Sequence, residues 1–93
     1  MENSTYVFNE ERVLLTQLGE EGVIYDIKSN EYFTLNETLF LIADGIKNQQ
    51  SISIILEKLL NEYDITEEVC LAEIHQGIQQ LLDKQIILKQ TNV

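Results

Sequence analysis

A change in hydrophobic period at residue 36 constrains the fold of this chain more than any other feature. In the preceding segments "VIYDI" and "YFTL", the residue types and their alternation are typical of strands. Asn36 is a favourable N-cap, and Glu37 suits the positive end of a helix dipole. Apolar residues then recur at helical spacing, at Leu39, Phe40, Ile42, Ala43 and Ile46. The chain is therefore predicted to pass from sheet to helix at Asn36.

Three strand candidates precede Asn36. "RVLLTQL" is rich in strand formers, "VIYDI" follows the turn "GEEG", and "YFTL" follows the turn "KSNE". Short strands joined by tight turns predict an antiparallel meander. Residues 1–10 show no clear pattern and are predicted to form a loose tail, or an edge strand around Tyr6 to Phe8.

Two further helices are predicted after the first one, which frays near Gly45. The second opens at Ser51 or Ser53, and the third begins at the N-cap Thr66. "IILKQ" is predicted to be a short final strand or an extended segment. This order predicts an α+β, winged-helix-like fold, with a three-stranded antiparallel sheet followed by three helices. The 93 residues suit a single domain over residues 1–93, with its core over about residues 12–89.

The charge of the chain argues against nucleic-acid binding. Sixteen Asp and Glu face six Lys and Arg, for a formal net charge of -10 at pH 7. Affinity for nucleic acid comes mostly from Lys and Arg that neutralise phosphates, so no nucleic-acid partner is predicted. The same charge would speed encounter with basic partners, although solubility alone also explains it.

The sequence also argues against a membrane partner. "MENSTYVFNEER" has neither the basic nor the apolar region of a signal peptide. No apolar run approaches the roughly 18 residues that a membrane span needs. A cytoplasmic protein is therefore predicted.

No group of residues in the sequence predicts catalysis. Cys70 is the single cysteine and is predicted to be a small buried hydrophobe, with a reactive thiol as the alternative. His75 has no HxxxH partner for a metal site. The acidic pairs lie in a turn and at a helix start, where solvation and the helix dipole explain them: Glu20 with Glu21, and Glu67 with Glu68. The chain is predicted not to be an enzyme, with no catalytic residue, cofactor or metal.

Two features favour peptide binding. Tyr32 to Leu35 contains no charge and no proline, the usual protection of an exposed strand edge, so it could accept an extended peptide as an added strand. The alternative is that the sheet packs Tyr32 and Phe33 away, one on each face. Gly77 lies inside an otherwise strong helix, which indicates close approach by another part of the chain or by an added peptide.

Two segments carry an ordered set of motifs, "GVIYDIKSNEYFTLNETLFLI" and "SISIILEKLLNEYDITEEVCLAEIHQGIQQLLDKQII". This set resembles the PqqD-like family, whose members are recognition elements for ribosomally synthesised peptide natural products. The resemblance covers about residues 12–89. It implies a non-catalytic adaptor that binds the leader of a precursor peptide as an added strand, in a groove between the third strand and the third helix.

Carried onto this chain, the resemblance assigns peptide-binding residues to both walls of that groove. The strand residues are Glu31, Tyr32, Phe33, Thr34 and Leu35. The helix residues are Leu71, Ile74, His75, Ile78 and Leu82. The family often carries basic residues there for acidic leaders, whereas this helix offers only His75 and Lys84. A less acidic leader, or one held mainly by apolar contacts, is therefore expected.

The resemblance also implies a partner enzyme. The chain ends soon after its third helix, so it is predicted to be a standalone member. Such a member presents the leader to a leader peptidase, as in lasso-peptide pathways, to a cyclase or to a radical SAM enzyme. Two alternatives stay open: a winged-helix regulator that binds nucleic acid, and a self-associating module that forms a homodimer through its open sheet edge.

Overall fold

The computed structural model describes residues 4–91. The elements follow one another as β1 (Ser4–Phe8), β2 (Val13–Leu18), β3 (Glu21–Asp26), β4 (Glu31–Leu35), α1 (Glu37–Lys47), α2 (Ile52–Glu62), α3 (Glu67–Asp83) and β5 (Ile87–Thr91). The predicted α+β class and the sheet followed by three helices are confirmed. The winged-helix likeness and the domain limits stay predictions.

The predicted meander is an antiparallel sheet with the strand order β2-β3-β4. Gly19 and Asn30 adopt the left-handed backbone conformation in its two turns, with φ of 63° and 61°. Glycine has no Cβ to oppose this conformation, and asparagine tolerates it better than most residues. The turn signals in "GEEG" and "KSNE" therefore set the lengths of the strands.

The two ends of the described chain form a second antiparallel sheet. β1 pairs with β5, so that Tyr6 lies opposite Lys89 and Phe8 opposite Ile87. Of the two interpretations of residues 1–10, the edge strand is correct for Ser4–Phe8, while residues 1–3 lie outside the described range. The final segment is likewise a strand.

Each helix begins at a capping side chain. Asn36, Ser51 and Thr66 accept hydrogen bonds from backbone N–H groups three residues later, at 2.8, 3.2 and 3.2 Å. Asn36 and Thr66 are the predicted caps, and Ser51 is the correct choice of the two serines for α2. The side-chain oxygens satisfy N–H groups that a helix start leaves without partners.

The core lies between the helices and one face of the three-stranded sheet. Ile24 at the centre of the sheet is fully buried, as are Ile42 of α1 and Ile74 of α3. Two glycines allow close packing at α1. A Cβ on Gly22 would lie 2.5 Å from Cδ1 of Phe40, and one on Gly77 would lie 2.8 Å from Cδ1 of Ile42. Gly77 therefore allows α3 to approach α1 closely, the first of its two predicted roles, and room for an added peptide stays a prediction.

Asp26 is the buried charged residue of the sheet, at 2% exposure. Arg12 Nε donates to both of its carboxylate oxygens, at 3.2 and 3.0 Å. The N–H groups of Lys28 and Ser29 donate to Oδ1 at 3.0 and 3.1 Å. Burial alone would raise the pKa of Asp26, but these hydrogen bonds and the arginine charge outweigh it, so the pKa lies below its usual value. The carboxylate joins the start of β2 to the turn before β4.

Replacing Asp26 by Asn is expected to reduce the loss of stability in acid. Because the pKa of Asp26 is lower in the folded chain, its contribution is fully present above the usual value of 3.8. That contribution is lost as the pH falls through 3.8 towards the lowered value. Thermal melts at pH 7 and pH 3 should show a smaller pH effect for Asp26→Asn, whereas exposed Asp64→Asn should behave as wild type. An unchanged pH effect in Asp26→Asn would contradict the role of this carboxylate.

Candidate functional site

The outer edge of β4 is unpaired within residues 4–91, because β4 ends the sheet. The hydrogen-bond alternation shows which of its backbone groups are free. Ile27 N–H donates to Arg12 O at 2.8 Å, and in an antiparallel pair every second residue makes such bonds. Tyr25 lies two residues before Ile27, so its backbone groups also bond to β2. The backbone groups of Ile24, the neighbour of Tyr25, therefore bond to β4 on the other side.

The register of β3 and β4 then shows which backbone groups of β4 face the free edge. Phe33 lies opposite Ile24, so its backbone groups face β3. The N–H and C=O groups of Tyr32 and Thr34 consequently point away from the sheet. This edge can pair with an extended chain through the backbone of two residues.

The two aromatic residues of β4 lie on opposite faces of the sheet. Phe33 is half-buried on the helix side, where Lys84 Nζ lies 4.3 Å from its ring centroid. Tyr32 lies on the other face, 71% exposed, with its ring centroid 4.7 Å from that of Tyr25. Of these two rings, Phe33 therefore lies nearer to the end of α3.

A cavity of about 200 Å³ lies beside the end of β4, between α1 and α3. Its lining residues are Asn36, Thr38, Leu39, Ile42, Glu73, Gln76, Gly77 and Gln80. Leu39 and Ile42 of α1 give the cavity some apolar lining, and the α3 wall carries one carboxylate and two amides. An extended chain added to β4 would reach this cavity where the strand passes into α1.

The predicted strand residues lie along the free edge. Glu31, Tyr32 and Thr34 are exposed, Phe33 is half-buried, and Leu35 is 2% exposed within the core. Their alternation follows from the period of a strand. Peptide contact by these five residues stays a prediction.

The predicted helix residues do not share one environment: some lie in the hydrophobic core of the chain, and others lie at the surface of α3. Ile74 and Ile78 belong to the core, Leu71 and Leu82 are half-buried, and His75 is exposed. None of the five lines the cavity beside β4, so their contact with a peptide also stays a prediction.

Four residues of α3 line this cavity: Glu73, Gln76, Gly77 and Gln80. The sequence analysis singled out Gly77 but missed the other three. The shared signal of the four is the i, i+3, i+4, i+7 spacing, which places them on one face of a helix.

Reactive groups are absent from this edge in the described residues. Cys70 is fully buried, and burial, followed by the charges of Glu73 and Glu67, raises the pKa of its thiol. It is therefore the packing residue that the sequence predicted. Within residues 4–91, no three His, Cys, Asp or Glu side chains come together as metal ligands would.

A second cavity, of about 530 Å³, lies away from β4. It is formed by β1, by β5 and by the connection from α1 to α2, and none of its lining residues belongs to β2, β3 or β4. It is therefore separate from the candidate edge.

None of the helices in the described chain combines the length and apolar character needed to cross a membrane.

Comparison with known proteins adds a family and a fold. Residues 21–87 match the family model described as coenzyme PQQ synthesis protein D (PqqD). The solved structure of TbiB1 in complex with the TbiA(beta) leader peptide is similar in fold, with a TM-score of 0.79 and 15% sequence identity. That likeness covers 87% of this chain and 93% of TbiB1. No curated protein matches the sequence.

Proposed function

The chain belongs to the PqqD family, and on that premise we propose that it is a non-catalytic adaptor for the leader of a ribosomally synthesised precursor peptide. The observation that carries the proposal is the unpaired outer edge of β4. Strand addition to such an edge gives affinity through main-chain hydrogen bonds and specificity through alternate side chains. The leader peptide in the TbiB1 complex gives this proposal its ligand class.

In the proposed complex, the leader pairs with the outward backbone groups of Tyr32 and Thr34. Alternate leader side chains then face the helix side, near Phe33 and the cavity at α3. That side offers the Glu73 carboxylate, two glutamine amides and the apolar side chains of Leu39 and Ile42. Such a surface favours a leader segment held by apolar and amide contacts over a strongly acidic one.

The adaptor would present the bound leader to a modifying enzyme. A leader peptidase, a cyclase and a radical SAM enzyme are the classes that accept such a complex in this family, and the pathway would be cytoplasmic. The proposed role uses no cofactor, metal or catalytic residue of this chain.

Calorimetric titration with the leader of the cognate precursor peptide tests the proposal. We expect saturable binding in the micromolar range, with the core part of the precursor alone giving no heat of binding. Absence of leader binding at about 100 μM, well above that range, would overturn the proposed function.

Self-association is the second candidate function, because the same unpaired edge could pair with a second copy. Sedimentation velocity over a range of concentrations distinguishes a monomer from a homodimer. Binding to nucleic acid is opposed by the net charge of -10.

A further inference from the structure

The face of the three-stranded sheet opposite the core is apolar and uncovered. Its apolar and aromatic members are Leu14, Leu18, Val23, Tyr25 and Tyr32, and we call this surface the outer face. The cross-strand partners Leu14 with Tyr25 and Tyr25 with Tyr32 bring three of these side chains into one row. Leu14, Leu18 and Tyr32 are 53%, 59% and 71% exposed, so no described element covers this row or the leucine beyond it.

The outer face carries few charges, although 24% of the residues in the chain are charged. Thr16 and Thr34 fill its remaining central positions, and among the described strand residues its charged member is Glu21, at one corner. A contiguous apolar surface of this kind marks an interaction site when polar residues surround it. The outer face thus combines an apolar row, Leu14 with Tyr25 and Tyr32, with polar residues around it, as protein interfaces do.

The charges around the outer face select the kind of partner. Glu20 and Glu21 lie at one end of the sheet, and Glu11 lies at the other, all of them exposed. Lys28 is the exposed base beside them. A second copy would bring the same acidic rim, and a further net charge of -10, against this one. An apolar surface bordered by Lys and Arg on a different protein is complementary to it.

The outer face is continuous with the edge proposed to bind the leader. Tyr32 and Thr34 direct their side chains to the outer face and their free backbone groups to the edge. A strand added to β4 would extend the outer face by one strand, and every second leader side chain would join it. A protein bound there would therefore touch both this chain and the leader.

We propose that the outer face, extended by the added leader strand, is the docking surface for a basic-rimmed apolar patch of the modifying enzyme. This inference rests on the proposed function, because the leader supplies the fourth strand of the surface. It follows that leader and enzyme bind cooperatively, each raising the affinity of the chain for the other by the same factor.

The test uses the purified cognate modifying enzyme, titrated against fluorescently labelled wild type, Leu14→Glu and Leu18→Glu. Both leucines are more than half exposed, so the variants are expected to fold, and thermal melts check this. Enzyme affinity should fall about tenfold or more in each variant, because each places an unpaired carboxylate within an apolar contact. A saturating leader should raise the affinity of wild type for the enzyme. Leu88→Glu, at a 43% exposed leucine of β5, is the matched control and should leave enzyme affinity unchanged.

Leader titrations with the same variants distinguish this inference from the proposed function. Leader affinity should stay within about twofold of wild type, since both leucines lie on β2 and away from the β4 edge. Normal leader binding with unchanged enzyme affinity in Leu14→Glu and Leu18→Glu would overturn the docking surface alone. A wild-type dimer that Leu18→Glu converts to a monomer would also overturn it, because a second copy would then occupy the outer face. Lack of leader binding by wild type would overturn the proposed function and, with it, the composite surface.

Discussion

Replacing Thr34 by proline is expected to weaken leader binding by about tenfold or more, while the chain still folds. The N–H of Thr34 points away from β3, so proline removes no hydrogen bond of the sheet. It does remove a donor to the added strand, and its ring occupies the space that the added strand needs. A tenfold loss corresponds to about 1.4 kcal/mol, close to the net contribution of one hydrogen bond before any steric cost is counted.

Two variants control for side-chain loss and for proline itself. Thr34→Val keeps the N–H and the shape of the side chain, so its leader affinity should be near that of wild type. Gln17→Pro places proline on β2, whose outward backbone groups line the opposite edge of the same sheet, and it should also leave leader affinity unchanged. Calorimetry gives the affinities and circular dichroism verifies the fold. A folded Thr34→Pro that binds leader as wild type does would show that the β4 edge is not used.

Replacing Ile74 by alanine is expected to lower the free energy of unfolding by about 2–5 kcal/mol. Ile74 is fully buried in α3 and lies in the same core as Ile24 and Ile42, so the truncation leaves a cavity among packed side chains. Leader affinity of the folded variant should change little, because Ile74 does not line the cavity beside β4. Urea denaturation measures the first effect, and titration below the transition measures the second.

Ile54→Ala is the matched control on α2, since Ile54 is 45% exposed and should lose well under about 2 kcal/mol. The opposite pattern for Ile74→Ala, with little loss of stability and a large loss of leader affinity, would assign this residue to the groove. The two measurements thus separate packing from binding at one of the helix positions that the family resemblance implies.

Local signals in the sequence predicted much of the fold. The capping roles of Asn36 and Thr66 depend on contacts three residues away, and the turns depend on a few adjacent residues. The pairing of β1 with β5 joins Ser4 to Thr91, and no local pattern contains that information. The ion pair of Arg12 with Asp26 was missed for the same reason, because it forms only when β2 and β3 are in register.

The candidate site could be predicted on its strand side better than on its helix side. Tyr32 to Leu35 stood out because an uncharged strand before a cap is visible in the sequence. On α3, the apolar residues that hydrophobicity selects include Ile74 and Ile78, which the core buries. The cavity is lined instead by Glu73, Gln76 and Gln80, because it opens on the side of the helix that faces the start of α1. Hydrophobic period identifies an apolar face and does not distinguish a core from a groove.

The sequence likewise does not show which faces of β2 and β4 are exposed. Alternation separates Leu14 and Leu18 from Val13, but only the fold shows which set the helices cover. The fold thus shows that the exposed leucines belong to the outer face, which is the surface proposed to dock the modifying enzyme.

Amide hydrogen exchange of Tyr32 and Thr34, measured by NMR with and without the leader, tests the central claim most directly. Strand addition predicts that both amides exchange much more slowly in the complex, because their outward N–H groups then donate to the leader. The amide of Phe33, already directed at β3, should change far less. Leader binding that leaves Tyr32 and Thr34 unprotected, or that protects the outward amides of β2 in their place, would contradict the account.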